Sequence, residues 1–385
     1  MNDTWQKVKL GEILKRVERF ELRDDLVEYQ FAGTYSFARG IFVNERKLGS
    51  SFKLPKIQRI HAGDFIYCKI MAWEGAFGLA PQEVNGCVMS GAFVAYELDH
   101  EKIDPSFLDY FFKVPANWKN IGSQSTGTNI RRQSLHPTQF EKTEIPLPPL
   151  AEQRRVVAQI EELSAQIQDA RTLRQQAIGE AEALMRSIIE SDPRAIHTPM
   201  RELLKQRKPD VIVNRNESYQ FAGVYSFGRG VFKSALKSGA DFAYPLLSRL
   251  KAGNFIYPKL MAWEGAFGVT PPECDGCVVS TEFPVFEVQE DKVFHEVLDT
   301  YFRNPAIWPQ VAGGSIGTNA RRRRLNPKDF LEYKFPLPSR ETQIKFRAVR
   351  AQVDALKRLQ AESAAELDAL LPAILGRAFR GELVP

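Results

Sequence analysis

Four cysteines in 385 residues, Cys68, Cys87, Cys274 and Cys277, are too few to staple a chain of this length, which suits a reducing cytoplasm. No run of eighteen apolar residues occurs, which excludes an ordinary membrane-spanning helix. The opening MNDTWQKVKLGEILKRVERF has no apolar stretch and no small-residue cleavage site of the kind a secretory signal carries. No Gly-Lys dipeptide is present, so a phosphate-binding loop of the ATP-motor type is excluded. The Pro-Pro pairs read Leu147-Pro148-Pro149-Leu150 and Thr270-Pro271-Pro272-Glu273, neither of which is the Asp/Asn-Pro-Pro-aromatic motif that works on a flipped base. Pro209-Asp210 has no acidic-x-Lys soon after it, which leaves a metal-dependent nuclease unsupported. Cys274-Asp275-Gly276-Cys277 has zinc-ribbon spacing but no second pair, and reads as a turn with incidental thiols. The sequence therefore predicts neither a catalytic centre nor a metal site.

What is present is a repeat. Tyr29-Gln30-Phe31-Ala32-Gly33 returns as Tyr219-Gln220-Phe221-Ala222-Gly223, an offset of 190. Met71-Ala72-Trp73-Glu74-Gly75-Ala76-Phe77-Gly78 returns unchanged as Met261 through Gly268 at the same offset. Gly127-Thr128-Asn129 meets Gly317-Thr318-Asn319, and Pro146-Leu147-Pro148 meets Pro336-Leu337-Pro338. A period this long is a duplicated domain and not a solenoid. None of the five histidines (His61, His100, His136, His197, His295) meets another in this register, so no duplicated catalytic pair is visible.

Each copy is followed by a segment rich in Ala, Glu, Gln, Arg and Leu. From Leu150 to about Ile189, Val156, Ile160, Leu163, Ile167, Ala170, Leu173, Ala177, Ala181, Leu184 and Ile188 recur in steps of three and four. Phe346, Val349, Val353, Leu356, Leu359, Ser363, Leu367, Leu370 and Ile374 do the same in the second segment. Each reads as an amphipathic helix of about 40 residues, or ~60 Å at 1.5 Å per residue. The narrow stripes suit a coiled-coil seam between the two helices; a pair of helices packed on their own globules is the alternative. Pro372 is expected to kink or end the second helix. Within a copy, Asp64–Ile70 and Cys87–Tyr96 read as strands and Pro105–Phe112 as a short helix, predicting an α+β domain.

Three features of the copies suit nucleic acid, as does the net charge of +5. The first is a basic cluster after a glycine: Asn129, Arg131 and Arg132, repeated as Asn319, Arg321 and Arg322. Small residues let backbone approach a phosphate, and arginines neutralise it or fork onto guanine. For Arg323 and Arg324 a solvated charge run is nearly as good a reading. The second is Arg39 beside Gly40 in an exposed turn, repeated as Arg229 and Gly230. The third is Lys69 with Trp73 and Lys259 with Trp263, a strand-end cation plus a loop aromatic; a core role is the competing reading of both tryptophans.

Leu147-Pro148-Pro149-Leu150-Ala151-Glu152-Gln153-Arg154-Arg155-Val156-Val157 resembles the signature that opens the central helix of type I restriction–modification specificity subunits. Ile374-Leu375-Gly376-Arg377-Ala378-Phe379-Arg380-Gly381-Glu382-Leu383 is similar to the tail that closes their second helix. The second copy departs from the first motif, with Pro338-Ser339-Arg340-Glu341-Thr342-Gln343, in which only Gln343 meets Gln153. The resemblance implies two tandem target-recognition domains, separated and followed by long helices that form an antiparallel coiled coil. On it the chain divides into a first target-recognition domain (1–148), a first spacer helix (149–192), a second target-recognition domain (193–338), and a second spacer helix with the C-terminal tail (339–385). It implies that each domain reads half of a bipartite site in double-stranded DNA and that the helices fix the gap. Two adenine methyltransferase subunits, carrying their own S-adenosylmethionine, and motor–nuclease subunits would be the partners. Near-identical readers related by a twofold would read a near-palindromic site. Other readings are the specificity subunit of a different phage-defence methylation system, a fused modification or nuclease enzyme, which the missing motifs oppose, and a coiled-coil scaffold without DNA affinity.

Overall fold

The computed structural model describes residues 5–126, 133–312 and 324–383. It divides into two compact units, Met1–Thr172 with Ser363–Pro385, and Leu173–Glu362. Each unit is thus one sequence repeat together with parts of the long helices, so the unit boundaries fall within the helical segments, not at the ends of the globules.

The first unit is built on two sheets. In a four-stranded antiparallel sheet the order is Leu14–Val17, Phe93–Leu98, Phe65–Cys68, Phe77–Leu79. The strand Phe65–Cys68 is buried throughout because both its faces are covered. Phe65 and Tyr67 face a core with Tyr96, Phe77, Phe112 and Phe140, while Ile66 faces a second cluster with Ala32, Val84 and Ala95. Such period-two alternation between two cores is what a strand allows. The other sheet has the order Phe20–Leu22, Lys56–Arg59, Val88–Met89, Glu28–Thr34, Ile41–Leu48. Its last two strands form a hairpin with a bulge between Gln30 and Ala32. The single segment expected over Cys87–Tyr96 is two strands in different sheets, because Phe93 N–H turns back onto Ser90 O at 3.1 Å. The expected helix is present as Pro105–Lys113, with Asp104 accepting from the N–H groups of Ser106 and Phe107 at its start.

The second unit repeats this architecture. Its four-stranded sheet runs Leu204–Gln206, Val285–Val288, Phe255–Ile256, Gly268–Val269. Its five-stranded sheet runs Val211–Ile212, Leu246–Arg249, Val278–Ser280, Ser218–Tyr225, Gly230–Ser238, and the bulge recurs between Gln220 and Ala222.

The first spacer helix is one uninterrupted segment, Leu150–Glu190. Its N-terminal junction is made by Gln153, which is 0 % exposed. Gln153 Nε2 donates to Lys102 O (2.9 Å) and Pro148 O (2.8 Å), and Oε1 accepts from Asp104 N–H (2.8 Å). Gln343 makes the equivalent bonds in the second unit, to Lys292 O, Pro338 O and Phe294 N–H, each at 3.0 Å. One amide therefore ties the helix start to the loop that precedes the short helix of the globule, in both repeats. This accounts physically for the glutamine that the two helix starts share.

In the first unit Leu375, Ala378 and Phe379 return onto the core that holds Val156, Val157 and Ile160, and Arg171 pairs with Asp368 at 2.8 Å. The pairing is antiparallel. In the second unit Phe346 and Val353 pack with Met185 and Ile189, and Lys357 pairs with Glu182 at 2.7 Å, again antiparallel. Asp192 follows the spacer helix. The Thr342 hydroxyl, then the backbone N–H of Arg194, and Ser339 hold its carboxyl well below the usual carboxylate range.

Two expectations about the helices are corrected. Leu173 and Leu184 are exposed, and burial passes instead to Met185 and Ile189. At 3.6 residues per turn Val156, Ile160, Ile167, Met185 and Ile189 fall within about 60° of one another around the helix, whereas Leu173 and Leu184 lie roughly 80–100° to the other side of Val156. The second helical segment is interrupted at Ser363, between helices Arg340–Glu362 and Ala364–Ala378, while Pro372 lies inside the latter without ending it.

Candidate nucleic-acid interface

Two of the three stretches singled out from sequence come together at one place in each unit. In the first unit, residues 35–40 close the hairpin between Glu28–Thr34 and Ile41–Leu48. They are clamped onto a 3-10 turn, Lys69–Glu74, that leaves the central strand Phe65–Cys68. Phe37 N–H donates to Glu74 O and Ala38 N–H to Gly75 O, both at 2.7 Å, and Ser36 Oγ donates to Glu74 Oε2 at 3.0 Å. Backbone approach is close: a Cβ on Gly78 would lie 2.9 Å from the Cα of Gly40. The second unit has the same clamp, with Phe227 N–H to Glu264 O (2.7 Å), Gly228 N–H to Gly265 O (3.0 Å) and Ser226 Oγ to Glu264 Oε2 (2.9 Å).

Asn129, Arg131, Arg132, Asn319, Arg321 and Arg322 lie outside the described residues. The described residues that flank them are held at the same place. Thr126 bridges Ser134, and Leu135 N–H donates to Lys69 O at 3.0 Å. In the second unit Leu325 N–H donates to Lys259 O at 2.9 Å. Arg324 is paired with Glu282, whose carbonyl in turn accepts from Lys259 N–H.

Arg39 and Arg229 are exposed. Each donates its Nε to the carbonyl of Ser36 or Ser226 at 3.1 Å. Each guanidinium also lies over a tyrosine ring, 5.2 Å from the Tyr35 centroid and 4.6 Å from that of Tyr225. Those rings stack in turn on Phe42 (4.2 Å) and Phe232 (3.9 Å). Gly33 and Gly223 make room for these stacks, since a Cβ there would meet the phenyl ring at 2.7 or 2.6 Å. A layered guanidinium is pre-oriented, so less conformational freedom remains to be lost when it binds a phosphate or a base edge.

Lys69 and Lys259 are half-buried at the starts of their turns, and Lys259 Nζ donates to Thr281 O at 2.9 Å. Trp73 and Trp263 are half-buried too. The Trp73 indole donates to Ile70 O at 3.1 Å, whereas Trp263 Nε1 is buried without a partner. Sequence reasoning alone misses two neighbours. Phe37 and Phe227 project from the clamped loops, and Ile70 with Met71, like Leu260 with Met261, is exposed on the adjoining turn. A phenylalanine in a turn carries no sequence signal of its direction.

Elsewhere, the Cys274 and Cys277 thiols are buried, and burial pushes Cys274 up to about 11, which keeps it protonated. Among the described residues the group best placed to hold a metal is Glu290, His295 and Glu296. Arg347 already pairs with both carboxylates, at 3.2 and 2.8 Å, and supplies the positive charge there. No helix among the described residues is long and apolar enough to cross a membrane.

Residues 2–177 match the family model for the type I restriction modification DNA specificity domain. Among solved structures, the HsdS subunit from Thermoanaerobacter tengcongensis is 22 % identical with a TM-score of 0.57, over 99 % of this chain and 98 % of that one. A structure described as the basis of complex assembly and conformational transition of the type I R-M system is 23 % identical with a TM-score of 0.62, over 100 % and 99 %. Both likenesses are of fold. Among the curated proteins none matches this chain.

Proposed function

We propose, from the match of residues 2–177 to the family model for the type I restriction modification DNA specificity domain, that this chain is the DNA-reading subunit of a type I restriction–modification complex. The observation that carries the reading is the convergence of Arg39 and Lys69, and again of Arg229 and Lys259, on clamped loops at equivalent places in two copies of one fold. Rigid loops that present cations and aromatic faces supply both phosphate neutralisation and base-edge contact. Each repeat reads one half of a bipartite site. The helical segments set the distance between halves and dock two adenine methyltransferase subunits. The chain is a recognition subunit: methyl transfer belongs to those partners, with S-adenosylmethionine bound on them, and cleavage to motor–nuclease subunits. The two readers are alike through both clamps and both turns, which supports half-sites near-identical in sequence and a near-palindromic site.

The test is duplex binding by the chain co-purified with its methyltransferase, on random-sequence DNA carried through rounds of selection. The expected result is enrichment of one bipartite sequence, with affinity falling steeply as salt rises. Binding that selects no sequence, or no binding by an intact complex, contradicts the proposal and favours an assembly scaffold.

A further inference from the structure

Phe37 and Phe227 hold a conformation that a phenylalanine rarely adopts. Their φ angles are +63° and +64°, in the left-handed region, and the residues are 62 % and 64 % exposed. Left-handed backbone is sterically unfavourable for a non-glycine residue, and a large exposed apolar ring adds no compensating burial. Glycine would satisfy this turn at lower cost, as it does at the next position of the second copy, where Gly228 (φ +65°) replaces Ala38 (φ +49°). Strain of this kind persists only where the surroundings over-determine it, and it concentrates at working sites. Here the surroundings are the clamp: the N–H of the strained residue itself is tied to Glu74 O or Glu264 O at 2.7 Å. The base of each ring rests against a tryptophan, with Phe37 6.1 Å from Trp118 and Phe227 6.4 Å from Trp308. The rest of the ring is free.

The neighbours of the ring decide what it meets. Arg39 or Arg229 stands two residues on, fixed over its tyrosine. Glu74 and Glu264 are engaged by the serine hydroxyls. The tip therefore offers an apolar π-face flanked by a guanidinium. DNA offers the complement, base faces within a step and phosphates on either side.

We propose that Phe37 and Phe227 are wedge residues, one per half-site, that enter the DNA at a base step and stack on the base they part. The inference rests on the DNA-reading function and adds a mode of reading to it. A step that is parted must first unstack, so the wedge favours an easily opened pyrimidine–purine step over a stiff A-tract, without any hydrogen bond to the bases.

The experiment uses the full chain in complex with its methyltransferase and a duplex of the selected sequence. 2-Aminopurine, whose fluorescence rises on unstacking, replaces each purine of the two half-sites in turn. The expected result is a rise on binding at one step in each half. Phe37→Ala abolishes the rise in one half only, Phe227→Ala in the other. Each weakens binding about tenfold, the scale of removing one base–aromatic stack. Phe37→Gly has the same effect on DNA and leaves the melting temperature unchanged or raised, since it relieves the left-handed strain; a packing role would lower it. A wild-type complex that binds its site with no rise at any step overturns the wedge and leaves the DNA reading standing. So does unchanged affinity of the alanine variants. Loss of methyltransferase from the variants assigns the ring to a protein contact and overturns it too. Absence of sequence-selective binding by wild type overturns the DNA reading and this inference together.

Discussion

Gln153→Ala lowers the stability of the first unit by about 3 kcal/mol, and Gln343→Ala does the same to the second. The alanine leaves Lys102 O, Pro148 O and Asp104 N–H without the partner that the fully buried Gln153 amide supplies. An orphaned buried backbone group costs roughly 1–3 kcal/mol, and partial relaxation or an entering water recovers some of that. For a unit of this size the loss corresponds to a fall in melting temperature of about 6–12 °C. Gln153→Glu is expected to fare no better, because a carboxylate can accept from Asp104 N–H but has nothing to donate to the two carbonyls. Thermal unfolding measures the stability. Hydrogen exchange locates it: the amide of Asp104 loses protection in Gln153→Ala, and that of Phe294 in Gln343→Ala. A variant that melts like wild type would show that packing of Val156, Val157 and Ile160 alone fixes the helix start.

The double variant Arg39→Ala/Arg229→Ala is expected to lose far more DNA affinity than either single one, with little change in stability because both side chains are exposed. An arginine that reads a base is worth roughly 1–3 kcal/mol, and losses at separate sites add. The pair therefore weakens specific binding by roughly 2–6 kcal/mol, from about thirtyfold to about twenty-thousandfold. Lysine replacements distinguish the two modes of binding. If the guanidinium forks onto guanine, Arg39→Lys behaves like alanine. If it meets a phosphate, lysine restores most of the affinity, and each alanine lowers the salt slope by about one. Affinity measured by fluorescence anisotropy at several salt concentrations gives both quantities. Wild-type affinity in the double variant would remove these arginines from the interface.

Much of the architecture was legible because it is carried by repetition and periodicity. The 190-residue offset marks the duplicated domain, and the steps of three and four mark a helix beginning at Leu150, where the structure begins it. Arg39 with Lys69, and Arg229 with Lys259, stand out by residue type and neighbouring glycine, and the clamp brings each pair onto adjoining loops. What stayed hidden depends on tertiary contact. The turn at Ser90 splits one apolar run between two sheets, although Met89 of the first strand and Ala95 of the second share one core cluster. Leu184 fits the apolar stripe yet is exposed, since the partner of a helix face is not written in its own sequence. Gln153 was visible as part of a motif, but its role comes from backbone groups some 50 residues earlier. The left-handed φ of Phe37 is imposed by Glu74, and no local propensity predicts it.

On the proposed function, two like readers on one chain specify one bipartite site. Methylated adenines are mapped across the genome of cells that express this chain with its methyltransferase. A single new motif of two near-identical half-sites, inverted and separated by a fixed gap, is expected. New methylation at a motif with one continuous element, or with two halves unrelated in sequence, would contradict it.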